Sequence, residues 1–195
     1  MHKKYLLVAA ALVGITGIIA GTVYAWNSQS SDVGRPISTA IPGEIRYKII
    51  GDSMAPTLLN GDSILVTKNA AEIARGQLVV LRDPGDQSKL FCRRVVAVAG
   101  DRVVMKYYSN VKITTVYSRM QPEGVAFPAD IVPNGDAYGE YTTNVAPDTF
   151  YVVGDNSVPG ASYDSDEWGL LPRADVVGVV LSQTSSSSKT ISSAY

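Results

Sequence analysis

Ile45-Arg46-Tyr47-Lys48-Ile49-Ile50 runs directly into Gly51-Asp52-Ser53-Met54-Ala55-Pro56-Thr57-Leu58. The first six residues read as a strand and the next eight as a polar turn, rich in residues that enter turns for their own conformational reasons. A serine held tightly at the exit of a buried strand is also where a chain presents a nucleophile on a rigid scaffold. Outward from this point the same alternation continues to about residue 181. The strand candidates are 63–67, 77–81, 89–98, 102–107, 111–117, 150–153 and 176–181. Gly61-Asp62, Asp83-Pro84-Gly85-Asp86, Gly100-Asp101, Asn134-Gly135-Asp136 and Pro159-Gly160 punctuate them. Only 69–74 looks briefly helical, so the pattern predicts a mainly β domain.

Composition removes several kinds of chemistry. A net charge of -1 gives no basic field, so nucleic acid is not an expected partner. Cys92 is the single cysteine, which rules out an intramolecular disulfide and a cysteine-rich metal site, and its apolar strand makes it a small core residue. His2 is the single histidine and precedes a long apolar segment. A Ser-His-Asp triad needs its His beside the nucleophile, and zinc hydrolysis by two His plus a carboxylate fails on the same count. No metal or cofactor is expected. A catalytic serine in this chain must use a lysine or another unusual base.

Before the β pattern, Lys3-Lys4 lead into an uncharged stretch from Tyr5 to Ala25, closed by Trp26. Roughly 20 apolar residues at about 1.5 Å rise suffice to cross a bilayer, and Tyr and Trp suit its two interfaces. Residues 1–26 are therefore expected to form a single transmembrane helix with the N-terminus cytoplasmic and the rest of the chain extracytoplasmic. The competing reading is a signal peptide cleaved after Val23-Tyr24-Ala25, which the length of the apolar segment disfavours. Residues 27–43 read as a linker, 44–182 as the β domain, and 183–195 as a disordered Ser-rich tail. Within the domain, 105–148 reads as a variable insertion.

The stretch from Gly51 to Asp62, Gly-Asp-Ser-Met-x-Pro-Thr-Leu-x-x-Gly-Asp, resembles the nucleophile segment of type I signal peptidases. Arg94-Val95-Val96-Ala97-Val98-Ala99-Gly100-Asp101 resembles the family's second segment. Val153-Gly154-Asp155-Asn156, Ser162-Tyr163-Asp164-Ser165 and Trp168-Gly169 resemble its third. The resemblance implies a β fold of coiled antiparallel sheets with a small β insertion. It also implies a membrane-bound serine endopeptidase that removes signal peptides from exported preproteins, its substrates, after small residues. By the same resemblance Ser53 is the nucleophile, with its own backbone N–H as an oxyanion donor, and Asp155, Ser162 and Asp164 support the site. The family's arginine after the Asp-Ser pair is Asp166 here, and Gln77 replaces the acid of an Arg-Gly-Asp-Val-Val stretch at Arg75-Gly76-Gln77-Leu78-Val79-Val80.

Arg93 occupies the position of the family's general-base lysine. Neutralising a lysine near pH 7 costs roughly 5 kcal/mol, within reach of burial, whereas an arginine requires roughly 9 kcal/mol. Arg93 is therefore expected to stay charged. Lys89, four residues upstream and about 13 Å along the strand, is a candidate displaced base; Lys48, Lys68 and Lys106 lie in or beside other strands. The alternative is a catalytically inactive relative that keeps the scaffold to bind export or fibre-assembly substrates.

Overall fold

The computed structural model describes residues 32–38, 41–68 and 72–186. The expected transmembrane segment at 1–26 lies outside the described residues, as do the first part of the linker and most of the Ser-rich tail. Among the described residues no helix is long and apolar enough to cross a membrane.

The β expectation holds throughout. In chain order the strands are β1 (Ile37–Ser38), β2 (Glu44–Lys48), β3 (Ser63–Thr67), β4 (Leu78–Arg82), β5 (Leu90–Ala97) and β6 (Arg102–Tyr107). There follow β7 (Lys112–Tyr117), β8 (Val125–Phe127), β9 (Gly139–Asn144), β10 (Thr149–Val153), one short helix α1 (Ser165–Trp168), β11 (Leu171–Pro172) and β12 (Val176–Thr184). The strands form an eight-stranded sheet in the order β1-β2-β3-β12-β4-β5-β10-β11 and a four-stranded sheet in the order β8-β7-β6-β9. Every pairing is antiparallel. The small sheet is the insertion between β5 and β10. It begins at Arg102, three residues before the sequence boundary, because β6 continues straight out of the Gly100-Asp101 turn.

Alternation along the strands divides the large sheet into two buried faces. On β4, Leu78 and Val80 join Ile49, Met54, Leu58, Ile64 and Val66, whereas Val79 and Leu81 join Phe91, Val95, Phe150 and Leu171. On β5, Cys92 faces the first cluster, and Phe91 and Val95 face the second. This alternation puts Arg93 on the Phe91 side, under Tyr163 and Trp168.

Two boundaries differ from the sequence reading. The linker was expected to run from 27 to 43, yet residues 32–38 are part of the domain. Val33 is buried and bridges Ile49, β1 pairs with β2, and Val33 N–H donates to Leu90 O. Three strands separate β2 from β5 in the sheet. Residues 32–34 hydrogen-bond to the exit of β2 on one side and the entrance of β5 on the other, so they close that gap. At the other end, β12 runs to Thr184 and Ser186 N–H donates to Asp62 Oδ1, beyond the boundary at 182. A break in the register of β12 against β3 realigns the strand so that Gln183 and Thr184 pair with Ile64 and Ser63. The helical expectation at 69–74 fails where it is described, since 72–74 is irregular chain.

Candidate active site

Ser53 owes its position to the apolar residues that follow it. Met54 and Leu58, 1% and 0% exposed, pin the turn to the core, and Gly51 takes φ 83°, which a side chain would disfavour. Leu58 N–H donates to Met54 O at 2.9 Å, and Ala55 N–H to Asp52 O at 3.0 Å. From the third motif segment, Asn156 grips the turn twice: its N–H donates to Ser53 O at 3.0 Å and its Nδ2 to Asp52 O at 3.1 Å. Asp62 accepts from Leu59 N–H and Ser186 N–H, and these bonds hold its carboxyl below the usual range. The Gly61-Asp62 pair of the motif is thus a clasp for the Ser53 turn.

The Ser53 hydroxyl meets a carboxylate that was not singled out in the sequence. Ser53 Oγ donates to Asp32 Oδ2 at 2.5 Å. Arg93 Nη1 donates to the same oxygen at 2.5 Å and stands 3.1 Å from Ser53 Oγ. The other Asp32 oxygen accepts Cys92 N–H at 3.0 Å. Arg93 is 1% exposed, and Nε and Nη2 donate to Tyr163 O at 3.0 and 2.7 Å. Its guanidinium lies 5.0 Å from the Phe91 ring and 5.8 Å from that of Trp168, within cation–π range. Burial works to lower the Arg93 pKa, but Asp32 and Asp164 outweigh it and hold the group above its ordinary value. Burial, followed by Asp32, pushes the Cys92 thiol far up, so it is no nucleophile.

A second buried centre lies behind the first. Lys112 Nζ donates to both oxygens of Asp164 at 3.1 and 3.0 Å, is 3.5 Å from Ser162 Oγ, and pairs with Asp166. Ser162 Oγ donates to Asp164 Oδ2 at 2.5 Å, and Gly154 N–H to the same oxygen at 2.9 Å. Asp164 is also the N-cap of α1, in a capping box with Glu167. Burial would raise the Asp164 carboxyl, but Lys112, Arg93 and these hydrogen bonds hold it below its usual range. Burial and Asp164 push Asp166 up. Burial pulls the Lys112 ammonium down, yet Asp164 and Asp166 more than offset this, so it stays charged. Where the family has an arginine, this chain has Asp166, and Lys112 from the insertion sheet supplies the missing cation.

The remaining expected residues fall around these centres. Asp155 receives a two-pronged Arg94, whose Nε donates to Oδ1 at 2.7 Å and whose Nη1 reaches Gly76 O at 2.7 Å. Lys89 precedes β5 and pairs with Asp86 at 3.3 Å, in the turn leading to that strand. Arg75, with Nε 2.7 Å from Asp101 Oδ2, ties the Arg75-Gly76 stretch to the second motif segment. Ser53 and Arg93 are therefore brought together, Ser162 and Asp164 form a cluster with Lys112, and Lys89 is held by Asp86. The capping pattern Asp164-x-x-Glu167 was available in the sequence as the signal for α1.

The Ser53 hydroxyl thus sits on a rigid β scaffold in contact with a carboxylate and a fixed guanidinium. The sequence profile described as signal peptidase, peptidase S26, matches residues 42–183. Signal peptidase I P of Bacillus subtilis subsp. natto is 30% identical over 142 residues, covering 68% of this chain and 72% of that protein. Signal peptidase I of Bacillus amyloliquefaciens is 31% identical over 146 residues, covering 68% and 69%. Signal peptidase I of Bacillus caldolyticus is 27% identical over 148 residues, covering 69% and 75%. The chain belongs to the signal peptidase family of serine endopeptidases.

Proposed function

We propose that this protein removes signal peptides from exported preproteins, with Ser53 as the nucleophile. The observation that carries the reading is the family match across 42–183, which spans Ser53 and all three motif segments. Asp155, Ser162 and Asp164 hold the strand ends and the helix that support the nucleophile turn, through Arg94, Lys112 and Gly154. Residues 1–26 anchor the chain in the bilayer and place the β domain on the extracytoplasmic face, as the apolar Tyr5 to Ala25 stretch and the preceding lysines support.

The test is cleavage of a preprotein by the full-length protein in detergent. Wild type is expected to release the signal peptide after a small residue, seen by mass spectrometry, and Ser53→Ala to release none. A panel of preproteins left intact by the wild type would sink the reading.

A further inference from the structure

Arg93, Lys112 and Lys89 are each engaged by other partners, and one carboxylate touches the Ser53 hydroxyl. Arg93 is buried, doubly bonded to Tyr163 O and held in its charged form. Lys112 is engaged by Asp164 and Asp166 and likewise stays protonated. Lys89 is paired with Asp86. The acceptor in contact with Ser53 Oγ is the Asp32 carboxylate, at 2.5 Å.

We infer that Asp32 is the general base for Ser53, carried into place by residues 32–34 and oriented by Arg93. The inference rests on the reading of Ser53 as a peptidase nucleophile. A residue 21 positions before the nucleophile needs a fixed backbone for this role, and it has one. Ile50 N–H donates to Asp32 O at 2.9 Å, Gly34 N–H to Lys48 O at 2.8 Å and Val33 N–H to Leu90 O at 3.2 Å, with Val33 buried. Cys92 N–H fixes one carboxylate oxygen, which leaves the other for Ser53 and Arg93. The profile match begins at residue 42, so Asp32 lies before the matched residues.

In the reaction, Asp32 Oδ2 takes the proton from Ser53 Oγ as Oγ bonds to the scissile carbonyl carbon and the carbonyl π pair moves onto its oxygen. As the C–N bond breaks, that proton passes to the leaving amine, and the acyl group remains on Oγ. A water then gives a proton to Asp32 while its oxygen adds to the acyl carbon. The C–Oγ bond breaks and the proton returns to Ser53. Arg93 keeps its charge throughout and acts as a positioning residue.

A carboxylate base also carries a kinetic signature. An amine base must first lose its proton, so its rate climbs with pH. The groups facing Asp32 are Ser53, the Arg93 guanidinium and the Cys92 thiol. Both Arg93 and Cys92 titrate well above neutrality. Through neutrality neither group imposes the rise of rate with pH that a deprotonating amine would.

The experiment uses the full-length protein in detergent with two substrates, a preprotein and p-nitrophenyl acetate, the second needing no signal-peptide recognition. Asp32→Asn is expected to slow both by about 100-fold or more through kcat, with KM little changed. Formate is expected to restore part of the rate to Asp32→Ala, in a concentration-dependent way, and none to Ser53→Ala. Asp32→Asn acting at the wild-type rate overturns the inference, as does a faster variant, which would mark 32–34 as a strap over the serine. An amine-like rise of rate with pH, without formate rescue, also overturns it, and so does a wild type inert toward both substrates. Ester hydrolysis dependent on Ser53 and Asp32 with every preprotein uncut would keep the base and discard the signal-peptide reading.

Discussion

The two buried polar centres use the same parts in different ways. Each has a serine hydroxyl 2.5 Å from a carboxylate and one buried cation bonded to that carboxylate. Around Ser162 the carboxylate is the cap of a helix, is 0% exposed, and has its cation shared with a second acid. Around Ser53 the carboxylate comes from a three-residue patch beside the sheet, keeps 12% exposure, and leaves one oxygen to the hydroxyl and the guanidinium. The difference teaches that a short hydroxyl–carboxylate bond alone does not define a reacting group. The Ser162 pair is sealed and charge-balanced as a brace, whereas the Ser53 pair is open to a partner.

Three perturbations sharpen this contrast. The largest effect on stability is expected from Asp164→Ala, which leaves Lys112 to Asp166 alone and removes a buried helix cap. A loss of about 3–5 kcal/mol in chemical denaturation is expected, as for other buried pairs deprived of one partner. A loss below about 1 kcal/mol would show that the brace is dispensable.

Gly154→Ala strikes both centres at once. A Cβ there would lie 2.5 Å from Ser162 Cβ and 2.6 Å from Ser53 O, so backbone must move. A loss of about 1–3 kcal/mol is expected from such overpacking. Displacement of the nucleophile turn should make the drop in cleavage rate larger than that stability change implies. Equal losses would mean that Gly154 does not set the serine's position.

The smallest effect concerns Glu167, whose carboxyl is pushed from 4.5 up to about 7 by burial and then by Asp164, although its side chain reaches solvent. The folded state therefore binds this proton more tightly than the unfolded state. Its contribution is fully present below about pH 4.5 and is lost as pH rises through about 7. Glu167→Gln should flatten that part of the stability profile relative to wild type, read from denaturant midpoints at pH 5 and 7.5. Solvent screening keeps the difference small. Parallel profiles would refute it.

Much of the scaffold was legible because period-two alternation and Gly/Asp turns are local signals. β2, β3, β4, β5, β6, β7, β10 and the first part of β12 were visible in this way, as were Ser53 and Arg93 through the motif spacing. Asp32 was not, because its stretch has no hydrophobic periodicity; only the curl of the sheet, which brings Leu90 near Ile49, gives it backbone partners. Lys112 was missed for a related reason. Its role depends on the insertion sheet packing against the loop that carries Asp164 and Asp166, a contact made 52 residues away. The substitution of Asp166 for the family's arginine was the one hint, since a buried Asp164 deprived of its neighbouring cation requires another. Lys89 was weighed as a base by strand spacing, which carries no information about Asp86 in the preceding turn.

Trp168 adds a practical consequence. The chain has two tryptophans, at 26 and 168, and only the latter lies among the described residues. Its indole stacks edge-on against Phe91 and Tyr163, has the Arg93 guanidinium 5.8 Å from its ring, and keeps a buried Nε1 without a hydrogen-bond partner. Indole emission depends on neighbouring charge and polarity, so the protein carries an intrinsic fluorophore beside Arg93. With Trp26 replaced, its spectrum becomes an optical record of where Arg93 stands as a substrate arrives.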